Sequence, residues 1–148
     1  HADKQLVVVA AVASPEPLGF SVRLGAQFPF RADRTSVRVI AAFQPHAIRE
    51  LLVTEMIEQS LTRRVSRKSM SARLDALRAQ GFEEAPSDTV QGIVDVAFPI
   101  FDGMHPGAIA SLNMPYLTQR DAHMTRSQAR LLLSHTARSI SKGLGAVN

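Results

Sequence analysis

The chain is expected to fold as α+β, an antiparallel sheet with helices packed against it. Three observations predict this. The elements run strand, strand, helices, strands, helix, without the β–α alternation of a doubly wound parallel sheet. The length, 148 residues and 16.1 kDa, suits one domain. Hydrophobic residues make up 45% and charged residues 20%, enough apolar material for one real core and too much for a disordered or collagen-like chain.

Residues 6–13 (LVVVAAVA) are continuously apolar and valine-rich, as a buried strand is. Ser14, Pro15, Glu16 and Pro17 stop it, because each proline lacks an N–H and disfavours α geometry in the residue before it. Residues 20–24 (FSVRL) alternate apolar and polar as a half-buried strand does, and Gly25 ends them. The short polar link suggests that these two strands pair antiparallel. From Thr35 the period becomes helical. Val37, Ile40 and Ala41 share a face that Val39 and Phe43 broaden. Asp33 or Thr35 is expected to cap this helix, and Pro45 closes it. Residues 47–57 read as a second helix, with Ile48, Leu51, Leu52 and Met56 apolar at helical spacing. Residues 60–71 are polar and basic and read as a mobile linker. A third helix spans 69–80, with Leu74 and Leu77 inward and Gly81 as its C-cap.

Residues 92–101 (GIVDVAFPIF) are a strand signal with a proline inside, which predicts an edge or a bulge at Pro99. Residues 102–107 are a turn by composition, and 108–114 (AIASLNM) return as the second strand of a hairpin. In the last helix, Thr125 and Gln128 have the spacing of a capping box. Ala129, Leu132, His135, Thr136 and Ile140 mark one face, and Lys142 and Gly143 supply charge and cap at its end.

Several functions are disfavoured. The longest apolar run falls far short of the ~20 residues of a membrane span. No signal-peptide pattern is present. The absence of cysteine removes disulfides, thiol nucleophiles and Cys-ligated metals, and fits a reducing, cytoplasmic setting. A net charge of +4 and a pI near 10.3 suit either nucleic acid or a solvated basic surface. Seven Phe, one Tyr and no Trp argue against a base-stacking platform. The histidines His1, His46, His105, His123 and His135 show no metal-ligand spacing, and there is no GxSxG, Walker or GxGxxG motif. Glu83 and Glu84 are adjacent and, in a strand, would point to opposite faces. No catalytic residue, metal or cofactor is therefore expected.

Three features suggest a ligand pocket. Residues 28–36 (FPFRADRTS) lead into a helix whose free N–H groups and dipole favour an anion, and Arg34 would add a bidentate grip on a carboxylate. Asp95 is a lone charge in an apolar strand, facing solvent or the pocket, with solvent the commoner case. Asn113 ends the returning strand, where a buried amide would need partners.

Taken in order, Arg23-Leu24-Gly25, Phe28-Pro29-Phe30, the helix ending Ala41-Ala42-Phe43, residues 77–82 (LRAQGF), Gly92 with 96–102 (VAFPIFD), 109–113 (IASLN) and 140–145 (ISKGLG) resemble the C-terminal effector-binding domain of the IclR family of bacterial transcription regulators. The resemblance implies a GAF-like fold, a curved antiparallel sheet flanked by helices. It implies that residues 1–148 are a single effector-binding domain without the family's N-terminal winged helix, so that DNA is reached only through that other domain. It further implies a small-molecule effector, assembly as a homodimer or homotetramer, a cytoplasmic location and no membrane.

The family's pocket positions fall on Phe20, Phe28, Arg34, Thr35, Ala85, Ile93, Asp95, Asn113 and Pro115. Where this chain has Arg34 and Thr35 the family usually has small residues, so Arg34 either fills the pocket or clamps a charge. Some relatives hold a metal through Cys, His and Asp. Only Asp95 matches here, so no metal is expected. Two Phe rings, Arg34, Asp95 and Asn113 together suit a small organic acid, aromatic or hydroxylated. The alternatives are an oligomerisation module without an effector, a small enzyme on the same fold, which would need the missing cysteine, and a basic nucleic-acid module.

Overall fold

A computed structural model describes residues 4–15, 19–60, 65–120 and 122–147. Its centre is a three-stranded antiparallel sheet of β3 (Glu83–Pro86), β4 (Ile93–Ile100) and β5 (Ala110–Leu117), with β4 in the middle. Ala97 lies opposite Glu83 and Asn113, and Asp95 lies opposite Ala85 and Pro115. Opposed residues share a face. One face therefore carries Glu83, Ala85, Ile93, Asp95, Ala97, Asn113 and Pro115, and the other Val94, Val96, Phe98 and Ile100.

The first face is covered by α1 (Thr35–Ala42), which lies against β4 and β5, with α2 (His46–Glu58) and α3 (Arg67–Gln80) packed around it. Their core joins Val37, Val39, Leu52, Val53, Met56 and Leu74 to Ala97. Sandwiched in this way, α1 is buried on nearly every side. On the second face α4 (Arg126–Gly143) packs Ala137 and Leu133 against Val96, Phe98 and Ile100. The capping box of α4 forms as its spacing predicts: Thr125 Oγ1 accepts from the Gln128 N–H, and Gln128 Oε1 accepts from the Thr125 N–H. Gly81 ends α3 at φ +90°, a conformation that favours glycine.

Other expectations need correction. The two N-terminal strands shrink to a ribbon of β1 (Gln5–Val7) and β2 (Gln27–Pro29), with Leu6 opposite Phe28. The backbone groups of Val8 bond to Ala26 and Gly25, with Gly25 at φ +80°, so the ribbon closes there. Residues 9–15 and 19–24 belong to the connection, not to strands. Among the described residues no element covers them, and Val9 is 79% and Val12 95% exposed. The sheet is consequently split in two.

Neither Asp33 nor Thr35 caps α1. Arg31 engages the Asp33 carboxylate, Thr35 is already helical, and Arg34 is the N-cap residue without a side-chain cap. In α2, Arg49, Leu52, Val53 and Met56 face inward, leaving Ile48 and Leu51 outside. Residues 67–71 form the start of α3 rather than linker, and 61–64 lie outside the described residues. Pro99 sits in the central strand. Because β3 reaches only to the position opposite Ala97, Pro99 is paired with β5 alone. The inner face of α4 keeps Ala129 from the expected stripe but continues through Leu133, Ala137 and Ser141 instead of Leu132, His135, Thr136 and Ile140. Gly143 remains helical, Leu144 is the C-cap, and Gly145 takes the left-handed conformation at φ +87°.

The turn after β4 docks on the end of α4: the Gly103 N–H donates to the Leu144 carbonyl at 3.1 Å. A Cβ on Gly103 would stand 2.4 Å from the Gly145 oxygen. Gly103→Ala should therefore force backbone apart and lower stability by about 1–3 kcal/mol in urea denaturation.

Candidate functional site

The site grows from one residue, Arg38. It sits one turn into α1, in a run otherwise apolar from Val37 to Ala42, and it has no solvent exposure. A guanidinium offers five N–H donors and is very costly to bury unpaired. Here its Nε–H donates to both Glu83 oxygens at 2.9 Å. Nη1 donates to the Ala32 carbonyl at 2.8 Å and to Asp88 at 2.9 Å, and Nη2 to Thr35 Oγ1 at 3.0 Å. Arg73 of α3 adds a second cation, 2.8 Å from Glu83. The Thr35 hydroxyl, held by Arg38, donates to Asp95 Oδ2 at 3.2 Å. Asp95 thus faces α1, half-buried, and not the open solvent that an antiparallel sheet commonly gives such a charge.

This network holds the start of α1 over β4. The opening turn carries no acidic residue and no side-chain cap, and its N-cap is a cation. Free N–H groups and the positive helix end favour an anion there. The Arg34 guanidinium carbon lies 4.8 Å from the Phe28 ring centroid, and its Nε is shielded from solvent with no hydrogen-bond partner.

The structure therefore brings Phe28, Arg34, Thr35 and Asp95 together, with Ala85 and Pro115 on either side of Asp95 in the sheet. Ile93, two residues along, is buried. Asn113 is on the same face, but its amide is exposed and donates to Ser111 Oγ at 3.1 Å, so it is not the buried amide in need of a partner. Phe20 lies in the connection beyond the ribbon, 43% exposed. A cleft of about 670 Å³ lies on the other face of the sheet, and another of about 400 Å³ lies between Asp33, Met70 and Arg73.

The glutamate pair behaves as strand geometry requires. Glu83 faces Arg38 and Arg73, whereas Glu84 faces α4, 2.9 Å from both Arg126 and Arg130. Among the described residues no group of three His, Asp or Glu side chains is placed to hold a metal. No helix among them is long and apolar enough to cross a membrane. Arg38, Glu83 and Arg73 were not expected at the site. The one available signal was a single charge inside an apolar helix.

Beside the site, hydrogen bonds from Arg31 hold the Asp33 carboxyl below the usual range. Partial burial opposes this, and the Arg31 and Arg34 charges assist it. The partly buried Asp102 is lowered in the same sense by the His105 ring and by the His105 and Met104 N–H groups.

Residues 1–142 match the family described as bacterial transcriptional regulator IclR C-terminal. No curated protein matches the chain in sequence. Its fold is similar to that of IclR from Thermotoga maritima (TM-score 0.78, 19% identity, 99% of this chain and 59% of that one). It is also similar to a transcriptional regulator from Rhodococcus sp. RHA1 (0.75, 22%, 97% and 59%). The C-terminal domain of the E. coli transcriptional regulator KdgR is a third neighbour (0.65, 24%, 86% and 79%). The chain thus spans 59% of the length of the first two. The GAF-like α+β architecture is shared with these domains.

Arg38→Met should cost about 3–5 kcal/mol in urea denaturation, because Glu83 stays buried with only Arg73 beside it. Adding Glu83→Leu should restore most of that loss. Because Asp33 has a depressed folded-state pKa, its contribution to stability is full above the unfolded value of about 3.9 and is lost as pH falls through and below it. Asp33→Asn should therefore flatten the acid limb of melting temperature against pH.

Proposed function

The chain belongs to the IclR C-terminal family of bacterial transcriptional regulators, and we propose that it works as the ligand-sensing domain of such a regulator. The effector is a small organic acid, bound at the start of α1. The observation that carries this reading is Arg34 at an uncapped helix start, its Nε unpartnered and its guanidinium over Phe28. The acid's carboxylate meets Arg34 and the free N–H groups near Thr35. A hydroxyl on the ligand meets Asp95 or Asn113, and an apolar or aromatic body lies on Phe28, between Ala85 and Pro115. Ile93 supports the floor, and the connection carrying Phe20 closes over the occupant.

The domain assembles as a homodimer or homotetramer, acts in the cytoplasm, and reaches DNA through a separate N-terminal domain. An effector that prefers one arrangement of the assembly shifts its population and so changes operator affinity, by no more than its differential affinity for the two arrangements. Because Arg38 ties the start of α1 to β3 and α3, a pull on Thr35 is passed to the sheet and to the neighbouring helix. A second reading, an oligomerisation module without an effector, draws on the exposed Val9, Val12 and Leu24, an apolar surface that a second copy would cover.

Thermal melts against a panel of small carboxylic acids test the sensor reading. An effector at about 100 times its Kd should stabilise the chain by about 2.7 kcal/mol, and Arg34→Ala should abolish the shift. Equal acid binding by Arg34→Ala would remove Arg34 from the site. No shift with any acid would favour the oligomerisation module.

A further inference from the structure

We propose that the groove beside α4 is a second ligand site, for an aromatic monoanion, on the face of the sheet opposite the α1 site. Its volume is about 670 Å³, a size typical of small-molecule sites. Its floor is aromatic. The Phe82 and Phe98 rings stack with centroids 5.0 Å apart and planes 17° apart, and Phe43 meets Phe101 edge-on at 5.8 Å. Its long wall is α4, where Leu131, Ser134 and Arg138 follow one another at helical spacing.

The charge on this wall has one sign. Helix α4 contains Arg126, Arg130, Arg138 and Lys142 and no acidic residue. Glu84 engages Arg126 and Arg130. Arg138 and Lys142 also line the groove, and among the described residues neither has an ion-pair partner. An aromatic floor beside two uncompensated cations complements a flat ring bearing one carboxylate: the ring packs against the edges of Phe82 and Phe98, whose faces meet each other and, at Phe82, the Arg130 guanidinium 5.4 Å from the centroid, and the carboxylate meets the guanidinium of Arg138 and the ammonium of Lys142. A second copy of α4 is a poor occupant, since it would set like charges against each other across the contact. This site is independent of the α1 site in position and in residues.

The probe is 2-naphthoate, titrated into the ¹⁵N-labelled chain and followed by amide shifts and calorimetry. Saturable shifts should appear at Gly81, Phe82, Ser134 and Arg138. Arg138→Ala with Lys142→Ala should weaken binding at least about tenfold, and Arg138→Lys should weaken it less. Leu131→Trp, which fills the groove without altering charge, should block it, whereas Arg34→Ala should leave it unchanged. The proposal is overturned if no saturable shifts appear, if the shifts are confined to Phe28, Thr35 and Asp95, or if the Arg138/Lys142 double variant binds as the wild type does.

Discussion

The structure depends on the burial of one cation. Arg38 lies wholly inside the domain, and removing a guanidinium from water is tolerated only when its donors are met. Meeting them recruits Glu83 from β3, the carbonyl of Ala32 ahead of α1, Asp88 beyond β3, and Thr35 at the head of its own helix. Arg73 joins from α3. A hydrophobic contact among these elements would allow sliding. Directional bonds converging on one planar group do not, so α1 has one axial position relative to β4. The Thr35–Asp95 bond is a consequence of that fixed register.

The two glutamates at the start of β3 give the sheet its two characters. Strand alternation sends Glu83 to the α1 face and Glu84 to the α4 face, and each collects two arginines from the helices on its side. The outcomes differ because the helices differ. On the α1 face the charges are largely internal and matched, leaving Arg34 as the cation at the helix start. On the α4 face the helix carries more cations than Glu84 can match, above a floor of phenylalanines. The first face offers a helix terminus and one guanidinium, and the second offers side-chain charge beside aromatic rings.

What was legible in the sequence was local. The β4–β5 hairpin, the Thr125–Gln128 box and the Gly81 cap each depend on residues a few positions apart, and each forms. What was not legible depends on distant partners. The valine run at 6–13 has the composition of a buried strand, but composition cannot supply the neighbour that would bury it, and pairing stops at Val8. Leu131, Leu132 and Leu133 offer α4 two equally apolar stripes, and only packing against the sheet selects the one through Leu133. Arg38 and Glu83 are 45 residues apart, so no periodicity links them. Arg34, Asp95 and Asn113 stood out in the sequence by their own chemistry, and the other site residues by resemblance to the family. The structure gathers Phe28, Arg34, Thr35 and Asp95, while Phe20 lies in the long connection whose course no local pattern defines.

The Nε–H resonance of Arg38 is the most direct probe of the central constraint. A guanidinium locked between Glu83, Asp88 and Thr35 should give a separate signal in a ¹⁵N spectrum, exchanging slowly with water and shifting when Glu83→Gln removes the carboxylate. An Arg38 signal that exchanges as fast as that of the exposed Arg23, and that ignores Glu83→Gln, would show that the buried ion pair does not hold the start of α1 in place.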